Sequence, residues 1–511
     1  MGERRVIEDR IRELRAEVGV ELPRVRVTGD DPVLPSVFRV GTAAAVAVGA
    51  ATAAAAAFAR GVVLPESAAE GAREAPVRVP EGAREAPMGV PEGGGESREA
   101  PVGAPEGEVD VRAAAVAFRD ERYFRIGGAA EDPWAPLSGD YRTADGWVRL
   151  HCNFDHHRDA ALAVLGLPAG SGREDVVRAC AGLTAVGIEE AVTAAGGCAA
   201  AMRSRAEWFR HPHASAVAAA PLVDLARIGG SGDECSGGAS VPDSGVYALE
   251  RAHAPDRERP LDGVRVLDLT RVVAGPVATR ALAAYGAQVL RVGAAHLPEV
   301  PGLVVGTAFG KRSCHLDLRT PEGRDALRDL VAEADVFVQS YRPGALDALG
   351  FGHRELAAVR PGIVCVDISA YGTRGPWAGR RGFDSLVQMA CGIAHEGGDG
   401  SRPCPLPAQV LDHATGYLAA FGAMAALLRR SAEGGSWRVR LSLARTALWL
   451  DGLGRVDGAG TPEPEAADLL GEMDSAFGRL TYVRPPGSVG GVPPRWSSPP
   501  PRPGEHPPAW W

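Results

Sequence analysis

The chain has 511 residues, 45% of them hydrophobic, enough for two or three domains that each bury a core of ordinary size. A net charge of −9, with arginines scattered among acids, offers no basic stripe; this argues against a nucleic-acid partner and directs attention to small molecules. Eight cysteines (positions 152, 180, 198, 235, 314, 365, 391 and 404) form no C-x-x-C pair, so neither a zinc site nor a disulfide framework is expected.

The first residues, Met1-Gly-Glu-Arg-Arg-Val-Ile-Glu-Asp-Arg10, are charged where a signal peptide needs an apolar stretch, so a cytoplasmic protein is expected. The uncharged run 40–59 has the length of a membrane span but is mostly Ala and Gly, which predicts a packed helix and no membrane partner. Residues 66–110 repeat Arg-Glu-Ala-Pro at Arg73, Arg84 and Arg98; with so much Pro, Gly and Glu they read as a disordered linker. Block 111–228 opens with the strand Gly146-Trp-Val-Arg-Leu-His151 and continues in Ala- and Val-rich helices, a small mixed α/β domain. Residues 229–259, rich in Gly and Ser at their start, read as a linker.

Block 260–455 alternates β-branched runs (264–269, 288–292, 335–339, 362–368) with helical patterns (277–285, 321–334). That alternation predicts an α/β fold with a Rossmann-like parallel sheet in a large domain. Residues 456–511, ending in a Pro-rich run, read as a disordered tail.

After the first strand of the large block comes Asp268-Leu-Thr-Arg-Val-Val-Ala-Gly-Pro276, where a dinucleotide-binding protein would carry G-x-G-x-x-G; its absence disfavours a nicotinamide enzyme. A Gly-Pro turn at a helix start still presents backbone N–H groups to an anionic or carbonyl group, although an ordinary strand-to-helix turn looks the same. Asp412, in Leu406-Pro-Ala-Gln-Val-Leu-Asp-His-Ala-Thr-Gly416, precedes an Ala-rich helix. It reads either as an N-cap or, if desolvated and faced by fixed donors, as a nucleophile. His151, His156 and His157 lack the Cys, Asp or Glu spacing of a ligand set and read as strand-edge and helix-start residues, so no metal is expected; His211 and His213 flank a proline.

Three ordered segments, Leu261-Asp-Gly-Val-Arg-Val-Leu-Asp-Leu-Thr-Arg-Val-Val-Ala-Gly-Pro276, Gly310-Lys-Arg-Ser-Cys-His-Leu-Asp-Leu318 and Ala334-Asp-Val-Phe-Val-Gln-Ser-Tyr-Arg-Pro-Gly344, resemble the family III CoA-transferases. The elements 346–352, Ile368-Ser-Ala-Tyr-Gly-Thr-Arg-Gly-Pro-Trp377, Gly382-Phe-Asp-Ser-Leu-Val-Gln388 and 406–416 follow in the family's order. This family includes formyl-CoA and carnitine CoA-transferases and the methylacyl-CoA racemases. The resemblance implies transfer of CoA from an acyl-CoA to a carboxylic acid, Asp412 as the nucleophile that forms a mixed anhydride and then an aspartyl thioester, and a homodimer. It further implies a CoA cleft involving Arg271, Val273, Ala274, Lys311, Arg312, Ser340, Tyr341, Arg342, Arg381 and Phe383.

Two alternatives stay open. The family's racemases carry a histidine where this chain has Phe383, so a racemase reading lacks one of its two bases; His395 and His413 do not match that position and read as structural or surface residues. A non-catalytic CoA-binding paralogue is motivated by departures from the family pattern: Arg291-Val-Gly-Ala-Ala-His296 in place of a Glu and Arg-Pro run, Ser340 for Asn, Ala348 for a basic residue, and no matching glycine-rich loop. The family's small domain follows its catalytic half, whereas here its likeness lies upstream, at 138–151, 165–168 and 202–213. The order resembles a permutation, or a tandem copy whose worn first half leaves 1–65 as a helical remnant; two partial copies in one chain would let a monomer imitate a dimer.

Overall fold

The computed structural model describes residues 2–60, 106–229 and 258–511. The linker expected over 66–110 lies outside the described residues up to 105, and that expected over 229–259 lies outside them from 230 to 257, as does Cys235. The described cysteines are free thiols.

The chain opens with helix α1 (Glu3–Val18), whose Ile7, Ile11, Leu14 and Val18 recur at helical spacing and are all buried. Strand β1 (Val25–Thr28) follows, then α2 (Val40–Ala59), β2 (Gly107–Asp110) and α3 (Val111–Ala117). Alanine is the best helix former, and its small side chain lets neighbouring helices approach closely. Nineteen of the twenty residues of α2 are accordingly buried inside the protein. After the short helix α4 (Asp120–Tyr123), a small domain folds from β3 (Gly139–Arg142), β4 (Trp147–Leu150), α5 (Asp155–Val164), α6 (Arg173–Ala181), α7 (Ala185–Ala194) and β5 (Ala199–Ala201). Its strands form an antiparallel three-stranded sheet in the order β3-β4-β5.

Strand β6 (Asp224–Arg227) leads out of the small domain. The large domain then builds β7 (Arg265–Leu269), α8 (Ala274–Ala284), β8 (Gln288–Gly293), β9 (Lys311–His315), α9 (Pro321–Ala332), β10 (Val336–Gln339) and α10 (His353–Val359). It continues with β11 (Val364–Ser369), α11 (Asp384–Ala390), α12 (Val410–Glu433), β12 (Trp437–Ser442) and α13 (Leu443–Gly452). Seven strands pair in the order β9-β8-β7-β10-β11-β12-β6, all parallel except β6. Counted from β7 the parallel strands run 3-2-1-4-5-6, the doubly wound order of Rossmann-like sheets, in which the crevice at the reversal between β7 and β10 is the natural ligand site. Leu327, Leu330 and Leu356 from α9 and α10 pack on one face of the sheet, while α8 and α12 cover the other and α2 packs on α12.

The segment 456–511 is not the disordered tail its composition suggested. Strands β13 (Leu470–Ser475) and β14 (Gly478–Val483) form a hairpin that pairs with Arg125–Ile126, and β15 (Ser488–Val489) pairs antiparallel with β2. Beyond them the chain straps across the large domain. The Trp496 ring packs against Phe309 at 4.8 Å and Tyr482 at 5.4 Å, and its indole N–H donates to Arg280 O at 3.0 Å. Trp510 donates to Leu330 O at 3.1 Å, and the His506 N–H to Ser313 O at 2.7 Å. Proline needs no backbone donor partner, so an extended proline-rich strap costs little once tryptophans anchor it.

Candidate active site

Asp412 lies in the first turn of α12, and two glycines set its position. A Cβ on Gly416 would stand 2.6 Å from Ala274 O, so α12 crosses α8 at close range one turn beyond Asp412. A Cβ on Gly275 would stand 2.3 Å from Thr270, which keeps the β7–α8 turn tight. In that turn Val272 has φ 74, a left-handed conformation that a β-branched residue adopts only under strain of about 1–3 kcal/mol. The first-turn N–H groups of α8, at Ala274 and Gly275, have no carbonyl behind them, and both residues line the cleft that Asp412 closes.

The Asp412 N–H donates to Asp384 Oδ2 at 2.8 Å. Asp384 is fully buried at the start of α11 and also accepts from Gln388 Nε2 at 2.5 Å; Gln388 in turn accepts the Leu406 N–H at 2.7 Å. Burial pushes the Asp384 carboxyl up to about 6. Burial, then Asp384, then Glu121 push Asp412 well above the usual carboxylate range. Among the described residues the Asp412 carboxyl makes no hydrogen bond of its own, and it faces the cleft. It does not cap the helix with its side chain. A partly desolvated carboxylate beside free helix N–H groups suits nucleophilic attack on a carbonyl carbon.

The cleft has a volume of about 410 Å³ and lies at the β7–β10 reversal. It gathers eight of the expected residues: Arg271, Val273, Ala274, Ser340, Tyr341, Arg342, Arg381 and Phe383. Arg271 reaches over the Tyr341 ring at 5.9 Å, and Arg342 is exposed at the rim. Arg381 donates to Gly196 O of the small domain, while the neighbouring Arg380 pins Glu189, Thr193 and Ala199 O.

Two of the expected residues stand away from the cleft. Lys311 is buried inside the large domain, and its ammonium donates to Asp268 Oδ2 at 2.9 Å, Pro276 O at 3.0 Å and Thr279 Oγ1 at 2.7 Å. All three N–H bonds are therefore spent tying β9 to β7 and to the first turn of α8. Arg312 lies outside the cleft and packs over the Trp511 ring at 4.3 Å, a partner supplied by the C-terminal strap.

The small domain supplies a wall that the motifs gave no signal for, because it comes from far upstream. Phe154, His156 and His157, at the start of α5, line the cleft, and the ring of His151 stacks on Phe383 at 3.6 Å. Burial lowers His151 and His157 to about 3, so both are neutral at physiological pH. His213 is an interior residue whose Nε2 meets Tyr371 O at 2.8 Å, and His395 contacts Glu396 at 3.0 Å.

His413 is not on the surface. It is buried in the first turn of α12, with Nε2 3.2 Å from Glu121 and 3.7 Å from Asp120, both on α4, while Arg280 pairs with Asp120. Burial opposes its charged form, but Glu121 and Asp120 outweigh it and raise its pKa. These three side chains bring donor atoms within 4.8 Å of one another, a geometry that also suits a cation, although Arg280 already neutralises one of the acids.

A second cleft of about 290 Å³ shares Tyr341, Pro343, Ile368 and Ser369 with the first and continues along the C-terminal ends of β10, β11 and β12. In its wall Asp367 accepts from Gln339 at 2.8 Å and meets His353 at 2.7 Å, and Arg440 and Arg445 stand beside them.

Residues 261–454 match the model of a family described as CoA-transferase family III. The chain is 38% identical over 200 residues to the acetyl-coenzyme A transferase nodX of Hypoxylon pulicicidum, covering 38% of this chain and 34% of that protein. It is 33% identical over 235 residues to the human succinyl-CoA:glutarate CoA-transferase, covering 42% and 52%. It is 34% identical over 212 residues to a probable fatty acyl-CoA transferase of Mycobacterium tuberculosis, covering 38% and 52%. The chain thus spans about half the length, or less, of these relatives. A crystal structure of a CaiB/BaiF family protein from Brucella suis aligns at 26% identity over 43% of this chain and 65% of that chain, with a TM-score of 0.35.

Proposed function

We propose that the protein, whose residues 261–454 match the model of CoA-transferase family III, transfers CoA from an acyl-CoA thioester to a carboxylic acid through a covalent intermediate on Asp412. The observation that carries this reading is the placement of Asp412: a desolvated carboxyl, fixed through its own backbone by Asp384, at the floor of a cleft that ends at the free N–H groups of α8.

Asp412 Oδ attacks the thioester carbonyl carbon, and the tetrahedral oxyanion is met by the α8 N–H groups. The C–S bond breaks, CoA leaves as thiolate, and a mixed anhydride remains. The thiolate attacks the aspartyl carbonyl and releases the donor's carboxylate, leaving an aspartyl thioester. The acceptor carboxylate repeats these two steps in reverse, which forms the new acyl-CoA and regenerates Asp412. No proton moves between substrates, so the neutral His151 and His157 need only exclude water from the wall. CoA is long, and the two joined clefts offer a continuous course past Tyr341 and Pro343 for the thioester at one end and the nucleotide at the other. Arg342 at the rim and Arg445 in the second cleft are cations suited to its phosphates.

An acceptor acid labelled with ¹⁸O in its carboxylate tests this chemistry. Each turnover through an aspartyl anhydride leaves one labelled oxygen in Asp412, visible as a mass shift in the peptide that contains it. Transfer without label contradicts the covalent route, and absence of transfer across a broad panel of acyl-CoAs and acids contradicts the reading as a whole.

A further inference from the structure

The N-terminal unit repeats the second half of the large domain. At one constant offset, Pro32, Val37, Thr42, Gly49 and Ala50 recur as Pro405, Val410, Thr415, Gly422 and Ala423. The structure repeats with them. The series α1-β1-α2-β2-α3 has the order of α10-β11-α12-β12-α13, with α11 and its loops absent between β1 and α2.

In each unit the two strands are parallel neighbours, and the second takes an antiparallel strand on its other side: β15 on β2, and β6 on β12. Each repeated glycine packs its helix on the following strand. A Cβ on Gly49 would stand 3.4 Å from Val109 of β2, and one on Gly422 would stand 2.6 Å from Val439 of β12. Each second strand also ends in a residue that caps the next helix, Asp110 accepting from Ala113 N at 2.9 Å and Ser442 from Arg445 N at 3.3 Å.

The two units embrace as symmetric subunits do. The repeated helices α2 and α12 pack on each other as like against like, the arrangement of a two-fold interface. The antiparallel strands are exchanged as well: β6 continues the chain of the first unit into the sheet of the second, and β15 does the reverse.

Among the positions at which the repeat differs is that of the proposed nucleophile. Arg39 stands where the second unit has Asp412, and its guanidinium binds Glu3 of α1 at 2.5 Å.

We infer that the N-terminal unit is a second copy of this half of the large domain that carries Arg39 in place of the nucleophile and serves as a built-in partner, so that the face of α12 is paired within one chain. The inference that Arg39 replaces a nucleophile rests on the proposed role of Asp412; the inference of a built-in partner does not. Its consequence is that the face of α12 on which a second copy would pack is already filled by α2.

Light scattering of the full chain from nanomolar to tens of micromolar concentrations reads the first point. The expected particle is one chain throughout, and a two-chain particle that survives dilution overturns the proposal. Native-state hydrogen exchange reads the second: α2 and α12 are expected to share the slowest, globally limited rate, whereas an α2 that opens on its own as an appended module overturns it. Acyl adducts are then counted per chain, in the parent and in Arg39→Asp. One adduct in both is expected, because position 39 lies against Glu3 of α1, and a second adduct in the variant overturns that part of the inference. If Asp412 carries no adduct at all, the proposed function fails, while the scattering and exchange results still decide the built-in partner.

Discussion

Asp384 accepts the backbone N–H of Asp412 at 2.8 Å, so one buried carboxyl fixes where the other stands while its charge raises that neighbour's pKa. The pair makes the nucleophile dependent on pH. Asp412 attacks only when ionised, so activity is expected to fall as pH drops through a value well above the ordinary carboxylate range. Asp384→Asn removes the negative neighbour and should move that acid limb down by roughly one pH unit. A pH profile of the half-reaction in the two proteins checks this.

The same residue carries a stability signature. Burial raises Asp384 from 3.8 to about 6, so between these values the folded chain holds a proton that the unfolded chain has released. Stability from this group therefore falls as pH rises through the window and remains lower above it. Denaturant unfolding at several pH values should show Asp384→Asn gaining on the parent between about pH 4 and 6, by up to about 3 kcal/mol.

Three of the five cations implied by the resemblance separate by role. Lys311→Met leaves Asp268 buried without its partner and should destabilise by about 3–5 kcal/mol. Arg312→Ala should leave KM for acyl-CoA unchanged, because the side chain packs over Trp511. Arg342→Ala, at the rim of the cleft, should raise KM by roughly tenfold, the scale of one charge-assisted contact. Steady-state kinetics combined with chemical denaturation distinguish the three.

Val272 holds a left-handed backbone that glycine adopts freely. Val272→Gly should leave stability unchanged or raise it by about 1 kcal/mol. It should also lower kcat, because the α8 N–H groups lose the rigid turn that aims them. Parallel gains in stability and activity would show that the strain has no part in the site.

Trp496 anchors the C-terminal strap between Phe309, Tyr482 and Arg280 O. Trp496→Ala should cost about 2–3 kcal/mol and open residues beyond 490 to limited proteolysis, whereas the parent strap should resist it.

Much of the catalytic half was legible because its signals are local. Alternating β-branched runs and helical patterns mark β7, β8, β10 and β11 with α8 and α9, though not β9 or β12, and the Gly-Pro turn and the segment around Asp412 stand at strand and helix ends. What escaped depends on distant partners. Lys311 looks like a loop cation until Asp268, Thr279 and Pro276 O are brought to it from other elements. His156 and His157 reach the cleft only because the small domain folds over it. The C-terminal segment has the proline content of a disordered chain, and only the aromatic surfaces waiting at Phe309 and Tyr482 turn it into an ordered strap. The burial of His413 against Glu121 likewise joins residues 292 positions apart.

The covalent role of Asp412 is tested most directly by incubating the protein with an acyl-CoA, quenching with hydroxylamine and measuring the mass of the peptide that contains Asp412. The expected result is an aspartyl hydroxamate at Asp412 that appears only with acyl-CoA and is absent from Asp412→Asn. An unmodified peptide from protein that is turning over acyl-CoA and acid would contradict the account.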